Sequence, residues 1–291
     1  VPFPHYLPLQ KFKIPDMKRI TMLICAAMIL LAADAQLNTP QPSPTQTVKQ
    51  NFALSSIELS YSRPAMRGRK IFGDLVPFGT VWRTGANNAT VLTFGEEVII
   101  GGTPIPAGKY GLLSIPEKKS WTLIITKQTD VTSPAAYKQD QDVVRIKSSV
   151  TTLKNPVESF TIQFDNVKQN SCDLQIMWDK TMVTLPIKAD IDAKIMANIE
   201  KEMKGANPPY FAAAMYYLEN NKDLVQAAEW FGKAAEAQPD AFWVFHQQAN
   251  CLAKLGKKKE ARAAAEKSIE LAKAAKNDDY VKLNEKLLSK L

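Results

Sequence analysis

The sequence predicts a mainly-β antiparallel sandwich followed by a small all-α domain. Three observations carry that reading. Short apolar or alternating runs fill residues 53 to 188 with nothing of helical period between them, the period turns helical near residue 190, and a pattern then recurs after 34 residues. Length and composition agree: 291 residues, 45% hydrophobic and 23% charged, suit about two globular domains rather than a disordered, collagenous or coiled-coil chain. With 2 histidines and 3 cysteines in all, most zinc, thiol and Ser-His chemistry is excluded at the outset.

The N-terminus predicts export. Met17, Lys18 and Arg19 form a basic start, residues 20 to 31 (ITMLICAAMILL) an apolar run of 12, and Ala33-Asp34-Ala35 a small-residue cleavage site before Gln36. Residues 1 to 35 therefore read as an over-extended start plus a signal peptide, and the expected location is periplasmic or secreted after cleavage near Ala35. A run of 12 is too short for a bilayer-spanning helix, which needs about 20 apolar residues, so no stable membrane span is expected in the mature chain. Cys25 lacks the small residue that lipoprotein acylation places before its cysteine. Without residues 1 to 35 the net charge falls from +8 to +6, His246 is the single histidine, and Cys172 and Cys251 remain, expected as buried free thiols, with a disulfide between them as the alternative in an oxidising compartment.

Residues 36 to 50 (QLNTPQPSPTQTVKQ) are polar, contain three prolines and read as a linker. The β domain, residues 51 to 188, opens with Ile57, Leu59 and Tyr61 alternating with Glu58 and Ser60. Further runs follow at 89–94, 109–115, 120–127, 142–150, 158–167, 172–179 and 182–188, separated by Gly, Pro, Asn and Asp clusters. Parallel strands would need crossover helices, and none is available, so two antiparallel layers that hide their edges are the economical solution.

Residues 190 to 291 form the predicted helical domain. Ile191, Ile195 and Ile199 lie on one face of a first helix that Gly205 and Pro208-Pro209 end. Leu218, Ala227, Phe231 and Ala234 then recur 34 residues later as Leu252, Ala261, Ala265 and Ser268, with Pro239 closing the first unit and Gly256 at a turn inside the second. That period, with small residues where helices cross, is a tetratricopeptide-like signature, although Phe211 and Met215 stand where Trp and Gly are usual. Residues 190 to 204 and a last helix over about 278 to 290 are expected to cap the pair.

Residues 57 to 94 (IELSYSRPAMRGRKIFGDLVPFGTVWRTGANNATVLTF) and 105 to 116 (IPAGKYGLLSIP) closely resemble a bacterial, mostly exported family, domain-of-unknown-function family 2911, over roughly residues 50 to 188. The resemblance implies an exported β domain commonly followed by helical repeats. It implies no activity.

Function must therefore be sought in the residues. Arg63, Arg67, Arg69, Lys70 and Arg83 gather between Tyr61 and Asn88, with Trp82, Asn87 and Asn88 close behind. Arginine is costly to bury, so these groups face solvent or meet anions. Of the charge of +6 beyond residue 35, +5 precedes residue 190. The candidate ligand-binding set is Arg63, Arg67, Arg69, Lys70, Trp82, Arg83 and Asn87, suited to an anionic small molecule, a glycan or an envelope component. The alternative is structural, with Arg63 or Arg83 paired to Glu58, Asp74 or Glu96. Gly73, Gly79 and Gly85 mark turns and not a phosphate loop, since no Lys-Ser/Thr pair follows them. Trp121 and Trp178 are expected in the core.

No histidine occurs between residues 36 and 245, so the β domain holds no Ser-His-Asp triad or His-rich metal site, and neither a catalytic residue nor a cofactor is assigned. His246, beside Phe242, Trp243 and Phe245, reads as a packing histidine. The carboxylates Glu58, Asp74, Glu96 and Glu97 leave one catalytic alternative, a carboxylate-dependent hydrolase of carbohydrate or other envelope substrate. Nucleic acid is disfavoured, because the basic groups lack the interleaved aromatic platform of a single-strand binder. The expected function is non-catalytic binding, with the helical repeats docking a protein.

Overall fold

A computed structural model describes residues 39–291, so the signal peptide and cleavage site expected before Gln36 lie outside the described residues. Among these residues the β unit has ten strands: β1 Thr45–Phe52, β2 Ser55–Ser62, β3 Thr90–Phe94, β4 Val98–Ile100, β5 Thr103–Ile105, β6 Gly108–Ile115, β7 Ser120–Thr126, β8 Asp142–Ser149, β9 Thr151–Asp165 and β10 Ser171–Lys188. They form a six-stranded sheet, β1-β2-β3-β6-β7-β8, and a four-stranded sheet, β5-β4-β10-β9. The predicted antiparallel sandwich is thus present.

Register explains which residues make the core. Leu59 opposes Leu92, which opposes Tyr110 in the next strand; Leu112 opposes Ile125, and Leu123 opposes Ile146. Because side chains alternate along a strand, this row shares one face with Trp121. Across from it the second sheet buries Phe160, Ile162, Leu174, Ile176 and Trp178. Tyr61 joins the layers, its ring edge-on to Phe160 and its hydroxyl donating to Ile162 O at 3.1 Å while accepting from Ile162 N at 3.0 Å.

The opposite face of the larger sheet is also covered. Leu113 and Ile124 cluster there with Ala89 and Val131, flanked by Val81 and Tyr137. Burial on both faces is why Tyr110–Ser114 and Leu123–Thr126 are buried at every position and read as continuous apolar runs. The covering segments, 77–89 and 127–141, carry the candidate site.

Two sequence expectations are corrected here. The supposed linker contributes β1 from Thr45 onward: TQTVKQNF alternates exposed and half-buried positions along a sheet edge, where polar side chains on both faces are the usual protection against aberrant pairing. The runs 172–179 and 182–188 belong to one strand, β10, because the break at Asp179 (φ 51°) is an irregularity in pairing with β9 and not a turn. The β4–β5 hairpin, turning at Gly101 and Gly102 with φ of 59° and 82°, is too short to carry an alternation signal. Cys172 and Cys251 are free and buried, and burial pushes the Cys172 thiol up to about 12.

The second compact unit comprises Lys188–Leu291 together with Phe52–Ser55 and Lys168–Ser171. Its helices are α1 Asp192–Glu202, α2 Tyr210–Glu219, α3 Leu224–Ala237, α4 Phe242–Lys254, α5 Lys258–Ala274 and α6 Asp278–Leu288. Short connections make α2–α3 and α4–α5 helical hairpins. Asp223 caps α3 by accepting from Val225 N and Gln226 N, and Gly256 turns the second hairpin at φ 75°. All eight residues that recur 34 apart in sequence are buried, with Ala227 and Ala261 both fully so.

Candidate functional site: the Arg83 cleft

Between β2 and β3 the chain runs irregularly, because Arg67, Gly68, Gly73, Gly79, Thr84 and Asn87 all adopt positive φ and interrupt extended structure. The segment still touches both sheets. Ala65 bridges to Ser159 of β9, and Trp82 exchanges two backbone hydrogen bonds with Ser114 of β6 at 2.7 and 2.9 Å.

Most of the basic cluster is tied to main chain. Half-buried Arg63 donates from Nε to Phe160 O at 3.0 Å and from Nη2 to Thr161 Oγ1 at 2.9 Å. Exposed Arg69 caps its own turn, donating to Ala65 O and Met66 O. Arg67 Nη2 reaches Pro42 O at 3.4 Å and Asn87 Nδ2 reaches Ser43 O at 3.1 Å, so both hold the lead-in to β1. Lys70 is exposed. In place of the carboxylates considered for Arg63 and Arg83, the guanidinium partners are carbonyl and hydroxyl oxygens. A planar fork of five N–H groups suits an irregular loop, whose carbonyls lack sheet partners.

Trp82 belongs to an aromatic cluster. It stacks on Trp178 with ring centroids 6.0 Å apart and 16° between planes, and meets Trp121 and Phe160 edge-on, while Phe72 packs against Trp82, Trp121 and Trp178. Its Nε1 donates to Gly85 O at 3.0 Å. The indole is therefore a packing group whose polar edge is occupied, and not an open stacking platform.

Arg83 differs from the others. Its Nη1 donates to Thr132 O at 2.6 Å, joining the two covering segments, while its Nε is buried without a hydrogen-bond partner among the described residues. Beside it lies a cleft of about 200 Å³, walled by Leu75, Val76, Pro77, Thr80, Val81 and Trp82 on one side and Val131–Pro134 on the other. Arg83 is its one charged lining residue. The far wall is fixed from below: Asp142 Oδ2 accepts from Tyr137 and from Arg145 Nε at 2.6 Å, and Arg145 Nη2 also reaches the Tyr137 hydroxyl. Burial, then the hydrogen bond to Asp142, raises the Tyr137 pKa. Gln128 closes the loop by donating to Ala136 O and accepting from Lys138 N.

Residues 43–187 match the DUF2911 family, described as a protein of unknown function. No curated protein and no solved structure is significantly similar to the chain. The DUF2911 region contains both walls of the cleft and the whole Tyr137–Asp142–Arg145 network.

Within the DUF2911 region none of Glu58, Asp74, Glu96 and Glu97 lines the cleft. Sequence reasoning singled out Arg83 and Trp82 but missed Leu75, Pro77 and the 131–134 wall. Residues 131 to 134 (VTSP) carry ordinary loop composition, and only the non-local contact of Arg83 with Thr132 reveals them. In the helical unit a separate groove of about 530 Å³ is lined by Met215, Leu218, Asn250, Lys254, Lys258 and Lys290, among others. Among the described residues no helix is long and apolar enough to cross a membrane.

Proposed function

We propose that the chain is an exported, non-catalytic binding protein whose β domain takes an anionic small molecule, a glycan or an envelope component at the Arg83 cleft, while a tetratricopeptide-like helical unit docks a protein. The observation that carries the first part is Arg83: it lines a cleft free of acidic side chains, and among the described residues its guanidinium is bonded to a single carbonyl. Its Nε is buried without a partner among the described residues, which leaves the group short of acceptors. An anion in the cleft adds a charge-assisted bond through the remaining Nη N–H groups. The groove lined by α2, α4 and the C-terminal residues Leu287, Lys290 and Leu291 supports the docking part.

Thermal melts of the wild type with inorganic phosphate, glucuronate and simple carboxylates test the anion reading. At least one of these raises Tm in a concentration-dependent way, as ligand linkage requires, and Arg83→Met abolishes the rise. Without ligand, Arg83→Met itself changes stability by no more than about 1 kcal/mol, because the lost bond is a single one at a partly exposed site. Absence of any anion effect on the wild type would remove the assignment.

Export predicts a mature N-terminus at Gln36, checked by mass spectrometry of protein from the native envelope; recovery of residues 20 to 31 refutes it. The repeat reading predicts that Ala227→Leu overpacks a fully buried position and costs about 1 to 3 kcal/mol, whereas the 64% exposed Val225 tolerates alanine. Equal tolerance at both positions in thermal melts would refute closely crossed repeats.

A further inference from the structure

We propose that the Arg83 cleft selects a small monocarboxylate with an apolar body, of the size of a short fatty acid or a benzoate, in preference to phosphates and acidic sugars. This rests on the anion reading above and narrows it. The cleft has one cation and largely hydrocarbon walls from Leu75, Val76, Pro77, Val81, Val131 and Pro134. Sugars and phosphates need several directed hydrogen bonds, and each of their polar groups left against such walls is desolvated without compensation. Of the other polar groups, the indole N–H of Trp82 bonds to Gly85 O and Thr132 O accepts from Arg83, which leaves the hydroxyls of Thr80, Thr132 and Ser133 as the uncharged polar groups of the lining.

Charge and volume narrow the class further. Arg83 lines the cleft, and its guanidinium has one Nη1 hydrogen bond already made and its Nε buried, so the arrangement suits one carboxylate and not a dianion. At about 200 Å³ the space is smaller than the 300 Å³ or so at which drug-sized sites begin. Leu75 is 43% exposed, an apolar side chain at the mouth that an aliphatic or aryl tail would cover. A carboxylate at Arg83 with its tail along Leu75, Val81 and Pro134 satisfies the cation and removes this hydrocarbon surface from water in one event.

The test is a set of titrations of the full mature chain followed by amide NMR shifts, using hexanoate, benzoate, hexanol, inorganic phosphate and glucuronate. Hexanoate and benzoate are expected to shift residues 75–83 and 131–134, with hexanol, phosphate and glucuronate at least about tenfold weaker, a difference in keeping with one charge-assisted hydrogen bond. Arg83→Met should reverse the order, so that hexanol binds more tightly than hexanoate. Leu75→Ser keeps the charge, alters an exposed position that does not endanger folding, and should weaken hexanoate several-fold while leaving phosphate unchanged. Phosphate or glucuronate binding as tightly as hexanoate, and lost in Arg83→Met, overturns the carboxylate class but keeps an anion site. Hexanol binding as tightly as hexanoate to the wild type, or hexanoate binding unchanged in Arg83→Met, overturns the class because the charge is not being read. Failure of all four anions to shift these residues overturns the class and the anion site together.

Discussion

Trp178→Ala is expected to destabilise the β unit by about 3 to 5 kcal/mol, the range for removing a large aromatic side chain from a packed core. Trp178 is 2% exposed, stacked on Trp82 and edge-on to Phe72 and Phe160. Its Nε1 donates to Glu158 O at 3.2 Å, but that carbonyl also accepts from Met66 N at 2.8 Å, so the substitution leaves a cavity and not a stranded acceptor. Phe72 and Trp82 belong to the irregular segment, whose position depends on rings contributed by both sheets. Loosening the cluster therefore loosens the wall that carries Arg83, and any ligand-induced rise in Tm should shrink with it. Urea melts followed by near-UV circular dichroism measure the loss, with Trp243→Ala, at a 39% exposed position, as a comparison expected to change stability far less. A loss below about 1 kcal/mol for Trp178→Ala would show that the aromatic cluster does not hold the segment.

The parts of this protein that are legible in its sequence are those whose cause is local. Alternation at Ile57, Leu59 and Tyr61 reports a strand with one face on a core, and the four-apart isoleucines beginning at Ile191 report a helix. The recurrence of Ala227 at Ala261 is visible because small residues repeat at two fully buried positions 34 apart. What was not legible depends on distant partners. Thr45–Phe52 became a strand because β2 pairs with it, although its own composition is that of a linker. Asp179 interrupts an apolar pattern without ending the strand, since β9 continues alongside on both sides of the irregularity. The arginines were visible as a cluster, yet whether each meets a carboxylate, a carbonyl or open solvent is decided by chain far away: Phe160 for Arg63, Pro42 for Arg67 and Thr132 for Arg83. A candidate site is thus half readable, with its charge in the sequence and its walls in the fold.

The second large effect is expected in the helical unit, at Asn284. This side chain is fully buried and links three helices: its Oδ1 lies 2.8 Å from His246 Nδ1 on α4, and its Nδ2 donates to Ser268 Oγ on α5 at 2.9 Å and to Tyr280 O on α6 at 2.7 Å. The direction of every bond follows from one fixed point. Tyr280 O can only accept, so the amide nitrogen faces it and the amide oxygen faces His246, whose Nδ1 must therefore carry the proton. His246 Nε2 is then an acceptor for Asn250 Nδ2 at 3.1 Å, and Ser268 Oγ passes its own proton to Phe242 O at 2.7 Å. Asn284→Leu keeps the approximate volume but strands the His246 N–H in an apolar site, where an unmade bond costs about 1 to 3 kcal/mol, and also removes both amide donor bonds. The expected total is about 2 to 4 kcal/mol. His246→Leu in the same background should return part of that, because replacing both partners removes the stranded donor, giving a coupling energy of about 1 to 3 kcal/mol in a double-mutant cycle read from urea melts. Additive single and double substitutions would mean that α6 is held by packing, through Leu287 and its apolar neighbours and the Tyr280 ring on Phe242, and that the directed network contributes nothing to docking the last helix.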